Sequence, residues 1–310
     1  MEIYAPRYYE KFRCIADKCL HSCCVGWEID IDEKTYEKYQ NLPQYSKNEI
    51  LKTIEKRDGC FCFGLDRDGR CKNLDERGLC KIITNHGESY LADICRLHPR
   101  FLNRVGNKIE MGIGLSCEEA VRIVLSDKER FELVRVGENC EKNDTASREY
   151  DPISERDKVI DFIENEKGAF IEKLEKLEEG YGVSVEYNTY DEWIDYLLSF
   201  EILDEDWKEN LKNAKEKEPK SDLSQYGSEL EALFKYFVFR HVSTAENEAS
   251  FLARVGFASL GVRLVKYLAE REEALTESRL YELVRLYSSE IEYSEENTDE
   301  LILEIEMSLI

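Results

Sequence analysis

Basic side chains are scarce: 43 Lys and Arg stand against 66 Asp and Glu in 310 residues, a formal charge of -23. Phosphate binding needs a concentrated positive face, so the balance argues against nucleic acid as a main partner and disfavours an anionic membrane surface. Long uncharged apolar runs are also missing. The best stretch, Phe251 to Leu268, is interrupted by Arg254, Arg263 and Lys266, so it does not read as a membrane span. The opening MEIYAPRYYEKF lacks the apolar core of a signal peptide. The expectation is a cytoplasmic protein whose thiols stay reduced. No GxGxxG lies between a strand and a helix; Met111 to Gly114 offers only a GxG fragment, read as a turn. No internal repeat is visible.

Hydrophobic residues make up 42% and charged residues 35%, enough to bury a core. Two features split the chain. Ten of the eleven cysteines lie between Cys14 and Cys117, and only Cys140 lies beyond. Residues 1–125 hold 20 basic and 20 acidic side chains, so residues 126–310 carry the whole -23. The expected organisation is a cysteine-rich metal- or cluster-binding domain, 1–125, and an acidic, mainly helical domain, 126–310. The expected fold class is mostly α: an irregular cysteine-rich N-terminal module followed by an acidic helical bundle.

In the first half, helices are expected over Asp32 to Tyr39 and Cys117 to Leu125, the second with Ser116 as N-cap and Glu119 completing a capping box. In the second half, Val159, Ile160, Ile163, Phe170, Ile171, Leu174 and Leu177 recur at helical steps. Leu230, Leu233, Phe234, Phe237, Val238 and Val242 repeat the pattern, as do Leu280, Leu283, Val284, Tyr287 and Ile291. The charged run Lys208 to Lys220 reads as a solvated connector.

The spacing Cys14-x4-Cys19-x3-Cys23-Cys24, Cys71-x8-Cys80-x14-Cys95, then Cys117, offers thiolates that can converge on one centre. Soft sulfur donors select zinc, copper(I) or iron–sulfur centres. Eight thiols exceed the four that one zinc or one [4Fe–4S] cluster needs, so either two centres form or some thiols are structural. Cys60, Cys62 and Cys140 are read as structural. His21 and His98 flank cysteines and are read as neighbours of the centre rather than ligands; His86 and His241 have a weaker claim.

These residues carry a resemblance. The segment FRCIADKCLHSCCVGWEIDID, Phe12 to Asp32, resembles the opening signature of bacterial flagellin lysine N-methylases. Further segments similar to that family are Cys71 to Arg100, Leu115 to Leu125, Tyr236 to His241 (YFVFRH) and Ile291 to Asn297 (IEYSEEN). The core CxxxCC…CxxxxxxxxC…CRxxP is shared with zinc- or iron-chelating domains. Glu118 stands where the family has proline. The resemblance implies metal ligands among Cys14, Cys19, Cys23, Cys24, Cys71, Cys80, Cys95 and Cys117. It also implies an iron–sulfur cluster, [4Fe–4S] with zinc as the alternative, S-adenosylmethionine as methyl donor, and surface lysines of flagellin as acceptors.

Methyl transfer to lysine is ordinarily a polar displacement, and an ammonium of pKa about 10.4 must first lose its proton. Asp93 and Tyr90 are candidates to orient or deprotonate it. Trp27 is a candidate to stack on the adenine, or to shield the centre. Arg96 and Arg100 are candidates to hold the donor's carboxylate, or to form salt bridges within the domain. The competing expectations are a non-enzymatic zinc- or iron-binding protein, for storage, delivery or sensing, and a redox or electron-transfer protein.

Overall fold

A computed structural model of the chain describes all residues except 28, 58, 140–149 and 310. It is a mixed α/β structure: helix predominates at 56%, as expected, and two small sheets are added to it. The strands are β1 (Glu2–Pro6), β2 (Ile29–Ile31), β3 (Ile54–Arg57), β4 (Cys60–Phe63), β5 (Arg100–Val105), β6 (Lys108–Ile113) and β7 (Leu133–Glu138). Their order is β5-β6-β1-β7 in one sheet and β2-β4-β3 in the other.

The chain forms two compact units, Met1–Phe12 with Leu102–Ile310, and Arg13–Phe101. Packing thus divides the chain at 12/13 and 101/102, whereas composition and charge change near 125/126. The expected turn at Met111 to Gly114 is mostly strand, because β6 pairs in parallel with β1, with Ile3 opposite Ile109. β1 also pairs antiparallel with β7, a strand inside the stretch expected to be helical.

The larger unit is otherwise built of helices at the places the apolar periodicity marks: Pro152–Asn165, Phe170–Tyr181, Gly227–His241 and Glu277–Tyr287. Its central member, Glu248–Glu270, is buried on every face from Val255 to Val265, as an all-round apolar helix must be. Arg263 is tolerated there because Glu178 accepts from its Nη2 at 2.6 Å. Gly261 lets the helix approach Phe237 and the Tyr287 hydroxyl, which a Cβ would meet at 2.9 Å. No described helix is long and apolar enough to cross a membrane.

Two local expectations fail. The run read as a connector contains most of the helix Glu205–Glu216, which buries Trp207, Leu211 and Ala214 on one face. The helix Glu118–Leu125 is capped by Cys117, not Ser116, and has no side-chain cap. Glu119 pairs with Arg122 at 2.6 Å instead of closing a capping box.

The smaller unit packs the three-stranded sheet and the helices Glu33–Gln40 and Lys81–His86 around Ile29, Ile31, Tyr39, Ile50, Phe63, Cys71 and Ile82. Asp32 caps Glu33–Gln40 by accepting from Thr35 N at 2.8 Å.

Candidate metal centre

The residues around Cys24 and Cys71 are joined backbone to backbone: Cys71 N donates to Cys24 O at 2.8 Å, and Gly26 N to Gly69 O at 3.0 Å. Cys71 is itself part of the core, and Cys24, Cys80 and Cys95 pack against the same cluster. Cys80 is the N-cap of Lys81–His86, where the backbone N–H groups of Ile82 and Ile83 favour its thiolate. Cys95 lies in the short helix Asp93–Leu97.

These four thiols are electrostatic neighbours of one another in every pair. Burial raises the Cys71 and Cys80 thiols and pushes Cys95 up to about 12, and the mutual repulsion of the thiolates adds to each. Cys24 runs the other way: a hydrogen bond with Cys23 lowers it to about 7, assisted by Ser22 and Arg70. One ready thiolate beside three that resist ionisation is an arrangement a bound cation would stabilise. Tyr39 stands in the same field; burial and then Cys95 and Cys80 raise its phenol.

In number and softness this donor set fits a [4Fe–4S] cluster or a structural zinc. The four do not close into a cage: among the described residues no three His, Cys, Asp or Glu side chains stand close enough together to hold a metal ion. The described cysteines are all free of disulfides.

The eight sequence candidates therefore divide. Cys24, Cys71, Cys80 and Cys95 converge, and Cys23 adjoins them through its bond to Cys24. Cys14 is exposed, and Cys19 donates through Sγ to His21 O at 3.3 Å. Cys117 belongs to the larger unit. Cys62 is buried in β4 with its thiol directed at Glu55 O, 3.8 Å away, while Cys60 is exposed. Cys140 lies outside the described residues.

The other candidates take local roles. Asp93 and Arg96 pair with each other at 2.7 Å, both about half exposed, where an ion pair contributes little. The Tyr90 carbonyl accepts from Tyr39 Oη at 2.6 Å, and Lys38 Nζ sits 5.3 Å from the Tyr90 ring centroid. Trp27 is 41% exposed. Its Nε1 donates to Cys23 O at 2.9 Å and its ring meets His98 edge to face at 5.8 Å. His98, lowered to about 4 by burial and then by Arg100, is neutral. Arg100 opens β5 and is half-buried.

Sequence reasoning missed a second titratable cluster, wholly within the larger unit. Helix Gly227–His241 presents Tyr236, Arg240 and His241 to Glu292, which lies in a π-helical turn, Ser288–Glu292. His241 Nε2 is 2.7 Å from Glu292 Oε1. Arg240 Nη2 donates to the Glu292 carbonyl at 3.0 Å and Nη1 to Tyr236 Oη at 2.8 Å. The segments YFVFRH and IEYSEEN both stand out in the sequence; that they meet does not, because 51 residues separate His241 from Glu292.

The small unit is thus a cysteine-rich α/β module with four converging thiols. The Lysine-N-methylases of Salmonella typhimurium and Salmonella choleraesuis are 27% identical to the chain over 139 residues, covering 41% of this chain and 33% of theirs. The Flagellar biosynthetic protein FliU of Salmonella muenchen is also 27% identical over 139 residues, covering 79% of its length. The chain is a distant, partial homologue of these lysine-N-methylase and FliU proteins. The match spans about a third of the length of the lysine-N-methylases. No family model matches the chain, and no solved structure does.

Proposed function

We propose that the protein is a lysine N-methyltransferase that moves a methyl group from S-adenosylmethionine to surface lysines of flagellin. The observation that carries this reading is the similarity to the lysine-N-methylases; FliU, named for flagellar biosynthesis, supports flagellin as substrate. Cys24, Cys71, Cys80 and Cys95 would hold an iron–sulfur cluster. Bound there, with one thiolate on each iron, the cluster would staple the loops of the small unit. The chemistry asked of the protein is to desolvate and deprotonate a lysine ammonium and to present it in line with the sulfonium. The charge of -23 favours encounter with a lysine-bearing surface.

The test is incubation with purified flagellin and S-adenosylmethionine labelled in the methyl group. Label in flagellin, mapped to lysine by mass spectrometry, is the expected result. Intact flagellin, with metal present in the protein, would overturn this reading in favour of a non-enzymatic metal-binding protein, for which the thiol convergence speaks equally.

A further inference from the structure

The helical unit buries a carboxylate–histidine pair, His241 and Glu292. Glu292 has a fully buried carboxylate. Burial opposes its ionisation, but Arg240 and His241 outweigh burial and hold it below the usual range. An ionised carboxylate only accepts hydrogen bonds. The ring nitrogen of a neutral His241 that faces it, Nε2, must therefore carry the proton, and the lone pair stands on Nδ1. Among the described residues Nδ1 has no hydrogen-bond partner, and the side chain keeps 11% of its surface exposed. The Phe257 ring packs edge-on at 4.7 Å and holds the imidazole in place.

The charged groups facing the imidazole are Glu292 from the π turn, Arg254 from helix Glu248–Glu270 and Arg240 on its own helix. Burial outweighs the hydrogen bond and charge of Glu292 and, with the two arginines adding, lowers the histidine below its usual range, which favours the neutral ring at pH 7. Glu290 Oε1 in the same turn, and Tyr287 Oη at the end of the helix before it, are buried without partners among the described residues. Buried polar atoms of this kind need an explanation, a catalytic role among them, and π turns are frequent at functional sites.

We propose that His241, oriented by Glu292, is the base that takes the proton from the lysine ammonium before methyl transfer. This rests on the methyltransferase reading above. The ammonium N–H bond breaks, its electron pair stays on nitrogen as the lone pair, and the proton passes to His241 Nδ1. The lone pair then bonds to the methyl carbon of the sulfonium donor. The C–S bond breaks toward sulfur and leaves a neutral thioether, and His241 returns its proton to solvent. Glu292 accepts from Nε2 throughout and stabilises the imidazolium, as a carboxylate does for a catalytic histidine.

The experiment compares wild type, His241→Gln, His241→Ala and Glu292→Gln in methyl transfer to flagellin across pH, with folding checked by circular dichroism. His241→Gln keeps a donor for Glu292 and loses the base. The expected loss in rate is about 100-fold or more at unchanged lysine-substrate KM, the usual size for a general base. The acid limb of the wild-type profile should vanish with it, and added imidazole should restore His241→Ala. A second readout needs no turnover: nitrogen-15 spectra of histidine-labelled protein should show His241 as the Nε2–H tautomer at pH 7. A folded His241→Gln with near wild-type rate and the same acid limb would overturn the base assignment alone. So would an Nδ1–H tautomer or a charged ring at pH 7. Wild type that transfers no methyl group would overturn the base assignment together with the reading it rests on.

Discussion

Arg156 and Glu110 form an ion pair at 2.5 Å in which both side chains are almost wholly buried, 1% and 5% exposed. Glu110 comes from β6 and Arg156 from the helix Pro152–Asn165, so the pair ties sheet to helices within the larger unit. Ser243 completes it: Arg156 Nη1 donates to Ser243 Oγ at 2.8 Å, and the hydroxyl itself donates to Phe239 O at 2.9 Å. Removing one partner strands the other charge, so Arg156→Met should cost about 3–5 kcal/mol. Urea unfolding of Arg156→Met and of Arg156→Met with Glu110→Met checks it. The double variant should recover part of the loss; a single variant within about 1 kcal/mol of wild type would contradict the pinning role.

The four converging thiols should be unequal to the rest in metal content. Cys24→Ser, Cys71→Ser, Cys80→Ser and Cys95→Ser should each strip most of the iron and acid-labile sulfide, or the zinc, from protein purified without oxygen. Cys60→Ser, at an exposed position in β4, should leave the content unchanged. Equal loss across all five would remove the distinction drawn between them.

Gly114 follows β6 with no room for a side chain: a Cβ there would overlap the Tyr293 hydroxyl. Tyr293 is held by the Arg240 guanidinium, 4.9 Å from its ring centroid, and cannot retreat freely. Gly114→Ala should cost about 1–3 kcal/mol as overpacking, read as a lowered melting temperature. An unchanged melting temperature would mean the tyrosine moves aside at no cost.

Glu290 gives the helical unit a pH dependence of defined sign. It is 1% exposed, and burial raises its carboxyl from 4.5 to about 7, with Asp204 adding and Arg285 and the Leu203 N–H opposing. The folded state then binds the proton more tightly than the unfolded state. This contribution is fully present below pH 4.5 and lost as pH rises toward 7. Glu290→Gln cannot lose it. The stability of Glu290→Gln relative to wild type should therefore increase from about pH 5 to about pH 7.5. A difference flat over that range would mean that the carboxyl titrates normally.

What was legible in the sequence follows from how local each signal is. Helices with a repeating apolar face, such as Gly227–His241 with Leu230, Phe234, Phe237 and Val238, declare themselves over three or four turns. The helix Glu205–Glu216 escaped because only Trp207, Leu211 and Ala214 mark its face, and the lysines and glutamates between them imitate a connector. The strands escaped for the opposite reason. β6 owes its conformation to β1, about a hundred residues earlier, and β2 is only three residues long. The cysteine set stood out as a set. Which four converge depended on where the core placed Cys24 and Cys71, and spacing alone does not report that.

β1 lies between β6 and β7, with neighbours that arrive only after the whole of Arg13–Phe101. As the chain leaves the ribosome, all of Arg13–Phe101 is made while the first six residues still wait for residues 108–138. The sheet therefore closes a long loop of chain, an entropically slow pairing. A chain cut short before Leu133 would carry the thiols intact and leave one side of β1 open.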